Sequence, residues 1–598
     1  MNWSEELFTS LLWIVKSLVI ASLVFSLILY FLIKMTRWGH QFWLLAKSYL
    51  SPRRSLIPLC YFWVIVFFDL LAVRLDILFS GWYKSMYDAL QEMNVARFWQ
   101  QMIVFSLLAA VHICNFLFTY YISQDFKIKW RTWLNNEMLD KWSENQAYYK
   151  TQCLAHQLDN PDQRIQQDVD AYVSNSLNFA TGVISFTVSL AAFTVILWNL
   201  SGPMVIMGYE IPHMMVFLVF IYVLVSSVIA FRIGRPLIQL NFAHERLNAN
   251  YRYSLIRLKE YAESIAFYRG ENIEKSILLR QFEKVIGNLW QIIHRTLKLF
   301  GFNLVVSQVS VIFPFIIQAT RYFSGQIKLG DLVQTSQAFS KVQSALSFYR
   351  NSYDDFAAYR AVLDRLTGFH SAIEAANQPS KTQIKPHMSA VIFENLNINT
   401  PEGNTLIEKL NLTIEQGVSL LIKGKSGVGK TTLLRTAAGL WPYSEGQIFC
   451  PQQTLFLAQK TYLPQGCLID ALYYPEPVPA DIDADNISNI LQKVHLSHLV
   501  DKLDVENDWT RVLSLGEQQR VACARVLLHK PKVVFLDEAT SSMDEGLEDA
   551  MYRLLLTELP STTLISVGHR STLHKYHQLH LQINSDKSWD MMKHATVF

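Results

Sequence analysis

Residues 424–432 read Gly-Lys-Ser-Gly-Val-Gly-Lys-Thr-Thr, and their types and spacing suit the holding of phosphate. Glycines let successive backbone N–H groups converge on one anion, and a helix starting at the lysine adds the positive end of its dipole. The run Gly424 to Thr431 fits G-x-x-x-x-G-K-[ST], which places Lys430 at the β- and γ-phosphates of a nucleotide and Thr431 on Mg²⁺. Gly424, Lys425, Ser426, Gly427, Val428, Gly429, Lys430, Thr431 and Thr432 are the candidate nucleotide contacts. Further along, the apolar run Lys-Val-Val-Phe-Leu ends in Asp537 and Glu538. Asp537 suits a hold on Mg²⁺, direct or through water. Glu538 suits a general base for an attacking water.

These groups need rigid elements behind them. Ser-Leu-Leu-Ile (419–422) reads as a buried strand entering the loop, and Thr-Leu-Leu-Arg-Thr-Ala-Ala-Gly-Leu as a helix leaving it. Residues 390–598 are the expected α/β nucleotide-binding domain, opening on the strand-like alternation of Ala-Val-Ile-Phe-Glu-Asn-Leu-Asn-Ile. Ahead of it, residues 370–389 lose periodicity and gain Pro, Ser and Lys, which reads as a linker.

The rest of the chain is of another kind. At 598 residues it exceeds one hydrophobic core, and 51% hydrophobic against 17% charged residues is an unusual balance. A net charge of +3 argues against a nucleic-acid partner. The six cysteines form no C-x-x-C pair and no zinc pattern, so they read as small hydrophobes in a reducing compartment. Six segments match the ~20 apolar residues that span a lipid bilayer: Leu11–Ile33, Leu56–Phe79, Met102–Tyr121, Phe179–Trp198, Met214–Phe231 and Leu299–Ala319. The first has an acidic start and lacks a small-residue cleavage site, so it reads as a retained span. Residues 1–50 are thus an extra N-terminal membrane helix with its linker, and 51–369 the main membrane domain.

Lys and Arg crowd the loops after the first, third and fifth spans, which puts those loops in the cytoplasm and the N-terminus outside. Six spans would then leave the nucleotide domain outside as well. The parity is restored by a seventh span at Asp331–Phe348, whose many polar residues suit a water-filled pathway rather than lipid. The long cytoplasmic loops keep helical periodicity, as if the spans continued below the membrane. Lys16, Asp69, Arg74, Asp76 and His112 lie within spans; Asp69 is the pathway candidate, and Arg74 and Asp76 suit ion pairing near the outer surface. Asp159-Asn160-Pro161-Asp162-Gln163-Arg164 reads as a helix-capping turn, with Arg164 free to pair with a neighbour.

Between the two phosphate motifs lies Leu-Ser-Leu-Gly-Glu-Gln-Gln-Arg (513–520), and it resembles the signature segment of ATP-binding cassette (ABC) proteins. The resemblance implies that Ser514 and Gly516 face the γ-phosphate of ATP bound by a second copy of the domain, with Glu517 of the same segment among the nucleotide-binding residues. It implies further that Gln459 is the Q-loop glutamine sensing Mg²⁺, that Ser-Ser-Met543-Asp544 is the D-loop, and that His569 is the switch histidine on the γ-phosphate. The catalytic residues are then Glu538 and His569, and the Mg²⁺ set Thr431, Gln459 and Asp537. Two departures stand out: Thr400 occupies the place of the aromatic that often stacks on adenine, and the signature reads LSLGE rather than LSGGQ.

Both departures, together with GLWP, TYLPQG, SVGHR and the segments KWRTWLNNEMLDKW and AESIAFYRGE, resemble subfamily D half-transporters and their bacterial relatives, the YddA-like and SbmA/BacA-like group. The resemblance implies an exporter-type helical membrane domain, with six core helices and one extra, fused to an α/β P-loop domain. It implies a homodimer in a bacterial inner membrane, cassette in the cytoplasm, hydrolysing ATP with Mg²⁺ to move peptides, cobalamin-like or other bulky hydrophilic solutes. Lipid or acyl-CoA cargo, and an ATP-binding membrane sensor, are the alternatives.

Overall fold

The computed structural model describes residues 3–51, 55–153, 160–202, 204–206, 209–378 and 380–593. They form two compact units: 1–138 with 161–369, and 139–160 with 370–598.

The first unit is helical. Its elements are α1 (Trp3–Met35), α2 (Arg37–Leu50), α3 (Ile57–Gln91), α4 (Val95–Ser143), α5 (Val169–Leu200), α6 (Met214–Glu260), α7 (Glu271–Phe323) and α8 (Leu329–Ala376). Residue types set several of the starts. The Thr36 hydroxyl accepts from the Gly39 amide to begin α2, and Pro58 sits in the first turn of α3, where its missing N–H costs nothing. Of the expected capping turn, Asp159 lies outside the described residues. Asn160 takes a left-handed φ of 46° and the helix resumes at Pro161. Arg164 does find a partner: Asp168 is clasped between Arg164 at 2.9 Å and the Arg365 guanidinium at 2.9 and 2.5 Å.

Helices α4, α6, α7 and α8 have 49, 47, 53 and 48 residues. At ~1.5 Å per residue each is about twice as long as a bilayer core is thick, as the periodicity of the long loops implied. Among the described residues five helices, α1 and α4 to α7, are long and apolar enough to cross a membrane. The expected span at 56–79 is helical within α3 but is not among the five; Asp69, Arg74 and Asp76 interrupt its apolar run. The polar seventh segment is likewise helical, within α8.

The second unit holds a four-stranded and a six-stranded sheet, besides a two-residue antiparallel pairing of Gly466–Cys467 with Glu506–Asn507. The strands are β1 (Thr382–Pro386), β2 (Val391–Asn399), β3 (Thr405–Ile414), β4 (Leu420–Lys423), β5 (Ser444–Cys450), β6 (Thr454–Leu457), β7 (Val533–Asp537), β8 (Thr563–Val567), β9 (Leu579–Ile583) and β10 (Trp589–Lys593). The smaller sheet runs β1-β5-β2-β3 and the larger β10-β9-β4-β8-β7-β6, parallel except for β10. Helices α9 (Lys430–Ala437), α10 (Leu468–Tyr473), α11 (Ala484–Lys493), α12 (Leu515–His529) and α13 (Glu545–Glu558) complete it. One core packs the two sheets around Leu433 and Leu434 of α9; a second packs α10 to α13 on the far face of the larger sheet.

Two boundaries differ from the sequence reading. The expected linker 370–389 is largely structured: α8 continues to Ala376, and β1 pairs in register with β5. Its Pro386 is tolerated because β1 is an edge strand and Pro386 ends it. Residues 139–160, expected within the membrane domain, group with the nucleotide domain instead. There Asn145 and Gln146, at φ 51° and 55°, break the helix, and Tyr149 and Cys153 lie within electrostatic reach of Arg435 on α9.

Candidate functional site: a phosphate cradle and the network around it

Strand β4 delivers the chain into the loop, and three glycines bend it there. Gly424, Gly427 and Gly429 have φ of 151°, 85° and 104°, a region closed to most side chains. At Gly424 a Cβ would stand 2.6 Å from the Ile583 carbonyl oxygen, so the loop lies directly against β9. At Gly427 it would meet nothing within 4 Å, so the loop is open on that side. α9 starts at Lys430 with no side chain capping its N-terminal amides, which leaves them for an anion.

Lys430 is buried and donates to the carbonyl oxygens of Gly424 (2.8 Å) and Lys425 (2.9 Å). Burial lowers its pKa, and the neighbouring Glu538 and Asp537 oppose that shift. The Thr431 hydroxyl donates to Asp537 Oδ1 at 3.2 Å, across from the end of β7. Burial raises the Asp537 pKa, with Thr431 and the nearby cations pulling against it. A desolvated cation, a ring of convergent amides, and a hydroxyl beside a carboxylate form the donor set that suits a polyphosphate with a hard divalent cation.

Glu538 follows β7 in the left-handed region, φ 50°, with its amide bonded to the Val567 carbonyl. Such a backbone in a non-glycine residue is costly and aims the side chain off the strand end. Its carboxylate accepts from Gln459 Nε2 at 2.9 Å and faces His569 Nε2 at 3.3 Å. Lys430, Thr431, Gln459, Asp537, Glu538 and His569, far apart in sequence, thus form one cluster.

Ser514, Gly516 and Glu517 stand apart from it. Ser514 caps α12 and donates both its hydroxyl (2.8 Å) and its amide (2.9 Å) to the Glu517 carboxylate, whose other oxygen faces His498 at 3.0 Å. Among the described residues, no hydrogen bond or ion pair links Ser514 or Glu517 to the phosphate loop. Gly516 runs close to the D-loop, where a Cβ would stand 3.2 Å from the Ser542 carbonyl oxygen. Thr400, at the adenine-stacking position, closes a turn with Asn404.

Three supporting residues escaped the sequence reading. Gln519 donates to the Gln459 carbonyl (3.2 Å) and accepts from the Ser542 amide (3.0 Å), joining Q-loop to D-loop. Arg570 bonds the carbonyls of Ser541 and Met543, tying the segment after His569 to the same D-loop. Arg525, buried on α12, donates to the carbonyls of Ala471 (2.7 Å) and Tyr462 (2.8 Å). For Gln519 and Arg570 the only signal was adjacency to a motif residue.

In the membrane unit, α3, α5 and α8 enclose a cavity of about 740 Å³ lined by Asp69, Asp76 and Lys341 and by serines of α5 and α8. Asp69 and residues of the polar segment 331–348 line it together. Arg74 and Asp76 do pair, each separately: Arg74 with Glu6 at 2.8 Å, Asp76 with Lys341 at 2.5 Å.

Two family models match this chain. The family described as "ABC transporter transmembrane region 2" matches residues 45–323, and that described as "ABC transporter" matches residues 407–541. An uncharacterized ABC transporter ATP-binding protein of Haemophilus influenzae is 58% identical, over 99% of this chain and 100% of its own length. The inner membrane ABC transporter ATP-binding protein YddA of Escherichia coli is 31% identical, over 83% of this chain and 89% of its own. In a solved structure, that of a bacterial Atm1-family ABC exporter with ATP bound, 93% of the chain superimposes on 87% of this one with a TM-score of 0.67 at 16% identity, so the fold is shared. The chain belongs to the ABC transporter family, as a half-transporter that joins one membrane domain to one ATP-binding cassette and couples ATPase activity to transport.

Proposed function

We propose that two copies of this chain form a subfamily D-type transporter that moves a bulky hydrophilic solute across a bacterial inner membrane. The single observation that carries the cargo class is the cavity of about 740 Å³ in the membrane unit, whose lining mixes charged and hydroxyl side chains with Phe79, Phe105 and Phe186 and whose size is in the range of sites for drug-sized molecules. A second cleft, of about 560 Å³, favours lipid or acyl cargo; it is apolar and lies between α1, α3 and α5. Its one ionisable lining residue, Arg74, is already held by Glu6. That cleft offers a polar solute little beyond Ser17 and Thr187, and the carboxylates and hydroxyls of the larger cavity would be an expensive lining for an acyl chain. The membrane assignment follows the resemblance to an inner-membrane relative and the basic cytoplasmic loops.

In this reading Lys430 and the amides of 427–432 hold the phosphates of ATP, with Lys425, Ser426 and Val428 shaping the loop. Thr431, Gln459 and Asp537 hold Mg²⁺, which neutralises phosphate charge when bound. Glu538 takes the proton of the attacking water, oriented by its contacts to Gln459 and His569. Ser514 and Gly516 complete the site of the opposite copy, which is why Ser514 lies outside its own chain's cluster. Closing the two cassettes over ATP shifts the membrane domain between states by differential affinity.

The test is Glu538→Gln in proteoliposomes, reading phosphate release and solute movement together. Both should fall by a factor of about 10²–10⁴ while nucleotide binding is kept. Solute movement that persists in the variant refutes ATP-driven transport and indicates a gradient-driven carrier.

A further inference from the structure

The cavity between α3, α5 and α8 has a charge as well as a size. Three charged side chains line it: Asp69, Asp76 and Lys341. Lys341 and Asp76 neutralise each other at 2.5 Å, which leaves the Asp69 carboxylate as the net charge of the lining. Among the described residues Asp69 has no hydrogen bond or ion pair. Several other charged groups of the unit are paired. Arg74 has Glu6 and Ser10, Lys84 has Asp331, and Asp168 has two arginines.

The neutral lining is equally short of partners. Ser185, Ser189, Gln337, Ser340 and Ser344 line the cavity and make no side-chain hydrogen bond among the described residues; the Ser185 Oγ is wholly shielded. On α8 these positions recur at three- and four-residue intervals, so one helical face presents them all. The Asp69 carboxylate and the four donor-acceptor groups that face the cavity have only water or a solute to satisfy them.

The chemistry narrows that occupant. An anion would find its only cation already neutralised by Asp76. A hard divalent ion needs several carboxylates, and no group of three metal-ligating side chains occurs among the described residues. A neutral solute would leave Asp69 uncompensated. We propose that the cavity binds an ammonium-bearing hydrophilic solute, with its cationic group on Asp69 and its remaining polar groups on the serines and Gln337. This rests on the transport reading and adds the charge class of the cargo to it.

The test reads cavity potential without knowledge of the cargo and without ATP, so its outcome is independent of the Glu538→Gln experiment. Ser340→Cys is placed in a background with Cys60, Cys114, Cys153 and Cys467 changed to Ser, leaving only the buried Cys450 and Cys523. Labelling rates are compared for two thiosulfonate reagents of similar size, one carrying trimethylammonium and one sulfonate. The cationic reagent should react about tenfold faster or more. Asp69→Asn should reduce that preference to about threefold or less, and Asp69→Glu should restore it. Gel filtration and thermal melts verify that each variant is folded and assembled. Equal rates in the parent, a preference that Asp69→Asn leaves unmoved, or no labelling by either reagent overturns the proposal.

Discussion

If each nucleotide site is shared between two copies, two inactive chains can repair each other. Lys430→Ala removes the buried cation that ties the loop carbonyls of Gly424 and Lys425. Ser514→Asp keeps an oxygen acceptor at the N-cap of α12 but sets a fixed negative charge where a phosphate would approach. The geometry around Ser514 motivates the pairing. Its side chain contacts only Glu517, it is exposed, and it is flanked by Val512 and Leu515, apolar residues 50% and 59% exposed in the single chain. Such a patch around a polar centre suits an interface. In a two-fold homodimer of either variant both sites carry a lesion, and each should fall below about a hundredth of the parent rate. In a heterodimer both lesions meet in one site and the other is intact, so about half the parent ATPase should return. The assay is phosphate release from heterodimers purified through two different tags. A heterodimer no faster than the homodimers refutes the shared site and returns Ser514 to a purely capping role.

Three further outcomes follow from the contacts. Burial raises the Glu517 pKa, but the Ser514 hydroxyl and amide and the neighbouring His498 lower it further, so its net shift is downward. A depressed carboxyl stabilises above its unfolded value and loses that contribution as pH falls through the folded one. The parent should therefore melt slightly above Glu517→Gln at neutral pH, by about 1 kcal/mol or less, and the gap should close in acid; a gap that widens in acid refutes it. Burial pushes the Arg525 pKa down to about 10, yet its two short bonds to carbonyls outweigh that cost; Arg525→Met should destabilise by about 1–3 kcal/mol in thermal melts, and a rise in melting temperature refutes this. Asp168→Asn leaves Arg164 and Arg365 facing each other around a side chain only 7% exposed; the loss should be about 3 kcal/mol in detergent, partly recovered by adding Arg365→Met. Additive losses in that double variant refute the clasp.

What could be read from the sequence was what is local. The phosphate loop, the carboxylate pair after β7 and the cap on α12 are each made by residues within a few positions, so type and spacing carry them. The polar seventh segment was legible for a similar reason: α8 alternates Ser336, Ser340 and Ser344 with buried Ala338 and Val342 at helical spacing. Contacts made across the fold were not legible. Lys341 reaches Asp76 over 265 positions, and nothing near either residue names the other. The linker reading at 370–389 failed because composition reports backbone freedom and not pairing. Thr382–Pro386 has a loop-like sequence and still forms a strand, because β5 offers an edge.

The segment 139–160 carries the same lesson into function. By hydropathy and helical period it continues α4, which the sequence assigned wholly to the membrane domain. Its grouping with the cassette begins at Leu139, within α4, and at Asn145 and Gln146 two left-handed residues then end the helical path. Tyr149 and Cys153 beyond that turn share the field of Arg435, one turn along the helix that begins at Lys430. A charge placed on that segment therefore acts on the element whose first residue is a candidate phosphate contact. Tyr149→Glu would bring a carboxylate toward Arg435, whereas Tyr149→Lys would bring a like charge at the same position. If the field is shared, ATPase rates of the two variants should diverge in opposite directions from a Tyr149→Gln reference, by about threefold each at low salt, and converge as salt is raised. Equal rates at all salt concentrations would mean that the link is packing alone.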